Sequence, residues 1–132
     1  MEKIKCICVM RELFQALSLL EARLLEQYGV SLNEAMVLCS ISGETVTAGT
    51  IVERTGLTPS HASKVISLVE KKGMLVRTLS EKDRRQMCFT LTEKAVLCLT
   101  EMKKQGIEIP ERLLPLFADM EKEVDCHEKE KI

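Results

Sequence analysis

The chain has 132 residues, enough for one domain with a real core, and carries three phenylalanines, one tyrosine and no tryptophan. Its net charge of −1 excludes a uniformly basic nucleic-acid binder. No apolar run approaches the roughly 20 residues that a membrane-spanning helix needs, which excludes that class.

The first element predicted is a long helix from Lys3 to Gln27. Its opening, Met1 to Glu12, holds an early charge pair but continues as an amphipathic helix, so it makes a poor signal peptide and the expected location is cytoplasmic. Ile7, Met10, Phe14, Leu17, Leu24 and Tyr28 form one apolar stripe, widened by Leu13, Ala16, Leu20 and Leu25. A helix this apolar is expected to bury more than one face. A core helix of a monomer is the simpler alternative.

Gly29 stops that helix, and Ser31 caps the next, with Glu34 three positions on at capping-box spacing. Ala35, Met36, Leu38, Cys39 and Ile41 are its expected apolar face, Cys39 acting as a small core residue. Gly43 ends it, and Thr45-Val46 can add a very short strand. Thr47 then caps a short helix, Ala48 to Arg54, and Gly56 makes a tight turn into the following helix.

Thr58 caps that following helix, and Pro59 sits at its first position, where a missing N–H costs nothing. Ala62, Val65, Ile66 and Val69 recur at i, i+3, i+4, i+7. The other face holds Ser60, His61, Ser63, Lys64 and Ser67, with no acid before Glu70. Gly73 supplies a left-handed stop after Lys71 and Lys72. Leu75 to Leu79 and Gln86 to Leu91 read as strands, with Met87, Phe89 and Leu91 inward against Gln86, Cys88 and Thr90 outward. Between them Ser80 to Arg85 forms a charged hairpin tip with two adjacent guanidinium groups.

A slim polar helix beside an arginine-tipped hairpin suits a duplex: the helix fits a major groove, and arginine suits the electronegative minor groove. The plain alternative is a solvated helix face and an ordinary turn. Charge distribution favours DNA. From Glu53 to Lys94 nine basic residues face five acidic ones, a local +4 against −5 elsewhere.

The run L-T-P-S-H-A-S-K-V-I-S-L-V-E-K-K-G-M-L-V-R (57–77), then Asp83-Arg84-Arg85, then F-T-L-T-E-K-A (89–95), resembles the winged helix-turn-helix of the MarR family of bacterial transcription regulators. The resemblance implies a mainly α (α+β) fold and a homodimer with one recognition helix and one wing per subunit. It divides the single domain 1–132 into a DNA-binding lobe at 31–92 and dimerisation helices at 1–28 and 93–125. Two positions depart from the family pattern. Val52 stands where a small residue is usual and Ala62 where a β-branched one is, as though two facing partners were exchanged with volume conserved.

Thr92 caps a fifth helix to about Gln105, with Ala95, Leu99 and Met102 inward and Glu101, Lys103 and Lys104 outward; Ala95 replaces the family's usual Gly. Gly106 breaks it. Pro110 can open a last helix, but Pro115 forbids an unbroken one, so a kink or a start near Leu114 is expected. Leu113, Leu116, Phe117 and Met120 would be its apolar face, and Glu121 to Ile132 is charged and expected to fray.

For DNA, the expected contacts are Ser60, His61, Ser63, Lys64 and Ser67 in the major groove, with Thr47, Arg77 and Arg84 near phosphates. Arg85 is the candidate for the minor groove, held by Asp83. A dimer implies a pseudo-palindromic operator on double-stranded DNA, with half-sites about one turn apart. The family resemblance allows a small-molecule effector near Phe14, Met36 and Met102, although each also suits plain core, or thiol oxidation at Cys6 or Cys8.

The six cysteines are expected to be reduced thiols. Cys6 and Cys8 point to nearly opposite helix faces and cannot chelate one ion as a local pair; only an assembly with Cys126 and His127 could hold zinc. No cofactor is expected. No nucleophile–base set, phosphate loop or carboxylate pair argues for an enzyme. A winged-helix module that binds protein instead of nucleic acid is the competing reading.

Overall fold

The computed structural model describes residues 3–80, 82 and 85–117. The elements run α1 (Lys3–Tyr28), α2 (Leu32–Ile41), β1 (Val46–Thr47), α3 (Ala48–Thr55), α4 (Pro59–Lys71), β2 (Leu75–Leu79), β3 (Met87–Leu91) and α5 (Glu93–Gln105), followed by a 3-10 turn at Glu111–Leu113. The fold is mainly helical with one small antiparallel sheet of order β1-β3-β2. Two compact units share the chain, Met1–Arg23 with Ile107–Ile132, and Leu24–Gly106.

In the larger unit the predicted caps are present. Ser31 and Glu34 make the reciprocal capping box of α2. Thr47, Thr58 and Thr92 each accept the backbone N–H three residues on, starting α3, α4 and α5. Gly56, between α3 and α4, has φ +77, the left-handed turn on which the helix-turn-helix bend depends. The apolar stripe of α4 is buried throughout, Ala62 to 1% exposure, and its Val65, Ile66 and Val69 join α2, α3, α5 and Phe89 around one core. Val52 of α3 is only half-buried.

Several expectations need correction. The short strand is Val46–Thr47, one residue later than expected, and pairs Val46 with Phe89. β3 begins at Met87, one residue after Gln86, whose carbonyl accepts the Ser80 N–H at 2.9 Å to close the hairpin. The alternation along β3 also differs: Met87 is exposed and Cys88 is buried. β3 is the central strand, so Cys88 is flanked by Thr47 on one side and Thr78 on the other, whereas Met87 lies near the hairpin end. Cys39 is exposed, and Val37 takes the core position beside Leu38.

In the smaller unit, α1 buries Ala16 and Leu20 against Leu113, with Leu13, Ile107 and Ile109 packed around them. Two of the residues that widened the predicted stripe, Ala16 and Leu20, are therefore buried, whereas Leu25 is exposed and Leu24 of the main line is buried. Ile7, Met10 and Phe14 of its main line are 64%, 60% and 71% exposed. The segment after Gly106 covers one side of α1 and leaves the neighbouring side open. Arg23 Nη1 donates to the Glu108 carbonyl at 2.8 Å, and Arg112 pairs with Glu12, fastening that segment down. Regular helix resumes at 114, after the 3-10 turn, as Pro115 requires. Of the predicted last apolar face only Leu113 is buried; Leu116 and Phe117 are exposed, and Met120 lies outside the described residues, as does the charged segment 121–132.

Candidate nucleic-acid interface

The outward face of α4 follows from helix geometry. At 100° per residue, Ser60, Ser63, Lys64 and Ser67 cluster on the side opposite Ala62, Val65, Ile66 and Val69. With the second set buried, the first is presented to solvent: Ser60, Ser63 and Lys64 are exposed and Ser67 half-buried. His61 is exposed on the edge of this face, with Nε2 3.4 Å from Asn33 Nδ2 on α2.

The wing is set against α4 by a short chain of contacts. Arg77 Nε donates to Glu70 Oε2 at 2.8 Å, and its guanidinium lies 5.6 Å from the centroid of the Phe89 ring, its cross-strand neighbour. Thr92, the cap of α5, also donates its hydroxyl to the Gly73 carbonyl, pinning the turn between α4 and β2. Lys82 and Arg85 are exposed at the hairpin tip; Asp83 and Arg84 lie outside the described residues.

Thr47 is half-buried, and its hydroxyl is engaged by the Thr50 N–H at 3.2 Å and the Thr50 hydroxyl at 3.1 Å. The basic excess is narrower than the sequence count suggests. Lys72 is paired with Glu34 and Arg54 with Glu44, two acids outside the 53–94 segment, which reduces its +4 to +2. Lys72 also donates to the Gly29 carbonyl, so it anchors the end of α4 to the start of α2. Glu34 is buried, which by itself would raise its pKa; the Lys72 ammonium and the Ser31 N–H overcome that and hold it below its ordinary value.

The other candidates are dispersed. Phe14 is exposed in the smaller unit; in the larger, Met36 is half-buried and Met102 packs against the core. Cys6 and Cys8 are half-buried on α1, and no group of three metal-ligating side chains occurs among the described residues. Cys126 and His127 lie outside them. Burial raises the pKa of Cys98, only partly offset by Lys94, so that sulfur stays a thiol at neutral pH. No helix of the described residues is long and apolar enough to cross a membrane. Asn33, next to the capping Glu34, was not singled out from the sequence; only the fold brings it to His61.

Residues 28–86 match the model of the MarR family. That segment is MarR-like in sequence. That match covers the larger unit from the end of α1 to the last residue before β3. No curated protein sequence matches the chain. Among solved structures, a MepR-like protein complexed with pseudoligands is 18% identical over 92% of this chain and 95% of its own, with a TM-score of 0.69. The S. aureus MepR–DNA complex gives 16% identity, 93% and 90% coverage and a TM-score of 0.67. Bordetella bronchiseptica BpsR, whose DNA binding is regulated by 6-hydroxynicotinic acid, gives 17%, 89% and 91%, with a TM-score of 0.66. At these identities the likeness is one of fold, and the fold is that of MarR regulators.

Proposed function

We propose that this chain is a homodimeric, cytoplasmic transcription regulator of the MarR family that binds double-stranded DNA at a pseudo-palindromic operator, as a repressor released by a small ligand or other signal. The observation that carries the reading is the solvent-facing side of α4, built of hydroxyls, one imidazole and two lysines, Lys64 and Lys71, opposite a fully buried stripe, with Leu68 the one exposed apolar side chain at its edge. A protein-docking face would expose apolar or aromatic anchors at those positions. Ser60, His61, Ser63, Lys64 and Ser67 enter the major groove, and Thr47 and Arg84 lie toward the backbone. Arg85, with Asp83 bracing the hairpin, reaches the minor groove. Arg77 acts on DNA through the wing it holds beside Glu70.

The dimer is supported by α1. Ile7, Met10, Phe14 and Leu17 are exposed at spacings of three, four and three, a continuous apolar line on one helix face. A second copy covers that line and brings a second α4 to the neighbouring half-site, about one helical turn away. Phe14, Met36 and Met102 are the proposed effector contacts, and oxidation of Cys6 or Cys8 is the alternative input. DNA complexes and ligand regulation in proteins of the same fold support this reading.

Selection of bound sequences from random duplexes by the purified chain tests it. The expected outcome is an enriched inverted repeat, bound as a dimer and lost on Lys64→Ala. Enrichment of a single unrepeated site would overturn the dimeric reading, and no enrichment would overturn DNA recognition.

A further inference from the structure

Two successive residues of α2 hold the recognition helix at opposite ends. Glu34 takes Lys72 at the C-terminal end, and Asn33 meets His61 in the first turn. His61 and Lys72 are eleven positions apart, three turns of helix, and so lie within about 20° of one another on a single edge of α4. The start of α2 faces that edge. His61 is thus restrained twice: its backbone N–H donates to the Thr58 hydroxyl at 3.2 Å, and its Nε2 lies 3.4 Å from the Asn33 amide nitrogen.

With the Asn33 amide nitrogen, which can only donate, turned toward the ring, Nε2 is the acceptor in this contact, and the ring proton of neutral His61 then resides on Nδ1. A free imidazole favours the other tautomer. The contact therefore selects the less common form and leaves an N–H donor as the unengaged ring position of an exposed side chain at the DNA-facing edge.

We infer that Asn33 is a specificity-determining positioning residue: it fixes His61 as an Nδ1–H donor, which selects a base that presents acceptors alone, guanine N7 or O6 or thymine O4, at one base pair of each half-site. The inference rests on the DNA-binding reading above. Adenine presents an amino donor beside its N7, and cytosine presents an amino donor alone, so a fixed donor disfavours these two bases against guanine and thymine where a tautomerically free ring would not. Asn33 need not touch DNA itself.

The test has two arms that fail separately. Nitrogen-15 NMR of the neutral imidazole in the DNA-free protein is expected to show the Nδ1–H tautomer, reverting to Nε2–H in Asn33→Ala. In the DNA arm, Asn33→Ala is expected to lower discrimination at a single base pair per half-site by roughly tenfold, with non-specific affinity and salt dependence unchanged. His61→Ala should relax the same position, and the double variant should relax it no further.

An unchanged tautomer in Asn33→Ala would overturn the inference even if DNA binding is normal. Uniform weakening across all sequences would also overturn it, since Asn33 would then act on phosphates or on helix packing. If the unsubstituted protein selects no sequence, the DNA reading itself falls, whatever the NMR arm shows about the Asn33–His61 contact.

Discussion

Glu34 Oε1 accepts a hydrogen bond from Ser31 N–H at 2.7 Å and another from Lys72 Nζ at 2.8 Å. One carboxylate oxygen thereby starts α2 and secures the C-terminal end of α4. Because its pKa is depressed below the ordinary 4.5, its stabilisation is complete above that value and lost as pH falls through the folded-state pKa. Thermal stability is expected to drop along an acid limb below about pH 4.5, and Glu34→Gln to flatten this limb. At neutral pH that substitution should cost about 1–3 kcal/mol, read from denaturant titration. An acid limb of unchanged steepness in the variant would show that other carboxylates govern it.

Ala62 is buried to 1% exposure in the α4 stripe, while Val52 on α3 is half-buried. Ala62→Val should overpack this site and destabilise the lobe by about 1–3 kcal/mol. Val52→Ala combined with it should recover part of the loss, because the pair would then match the usual family arrangement. A neutral single variant would sink the compensation idea.

Arg85→Ala removes a wing cation without touching the core. Operator affinity should fall by about 1–3 kcal/mol while the melting temperature stays within the small range of surface substitutions. Equal affinity at physiological salt would exclude the wing from recognition.

Phe14 is 71% exposed on the open side of α1. Phe14→Asp should leave the helical content intact, convert the proposed dimer to monomer in sedimentation, and weaken operator binding at least tenfold. A variant that still sediments as a dimer would move the seam away from this face.

Much of the fold was legible locally. Ser31, Thr47, Thr58 and Thr92 announce helix starts because each cap acts within three residues of itself. The α4 stripe was equally readable, since its periodicity names both a buried and an exposed side at once. α1 was not. Its apolar residues exceed one face, and only the return of 107–113 decides that Ala16 and Leu20 go inward and Phe14 stays out. Cys39 and Cys88 exchanged their expected environments: a small thiol suits either side, and for Cys88 the central place of β3 in the sheet settles which. The candidate DNA face was visible as a list of residue types, but its fastenings were not. Glu34 and Lys72 are 38 positions apart, and Asn33 and His61 are 28. Pairings at such separations leave no periodic mark.

The Tyr28 hydroxyl donates to the carbonyl of Gly106, so the place where the chain enters the larger unit and the place where it leaves are fastened by one phenol. A module whose two ends coincide behaves as a cassette. Ends that lie together favour permutation and transplantation, because a host has only to supply two strands of chain arriving at one point.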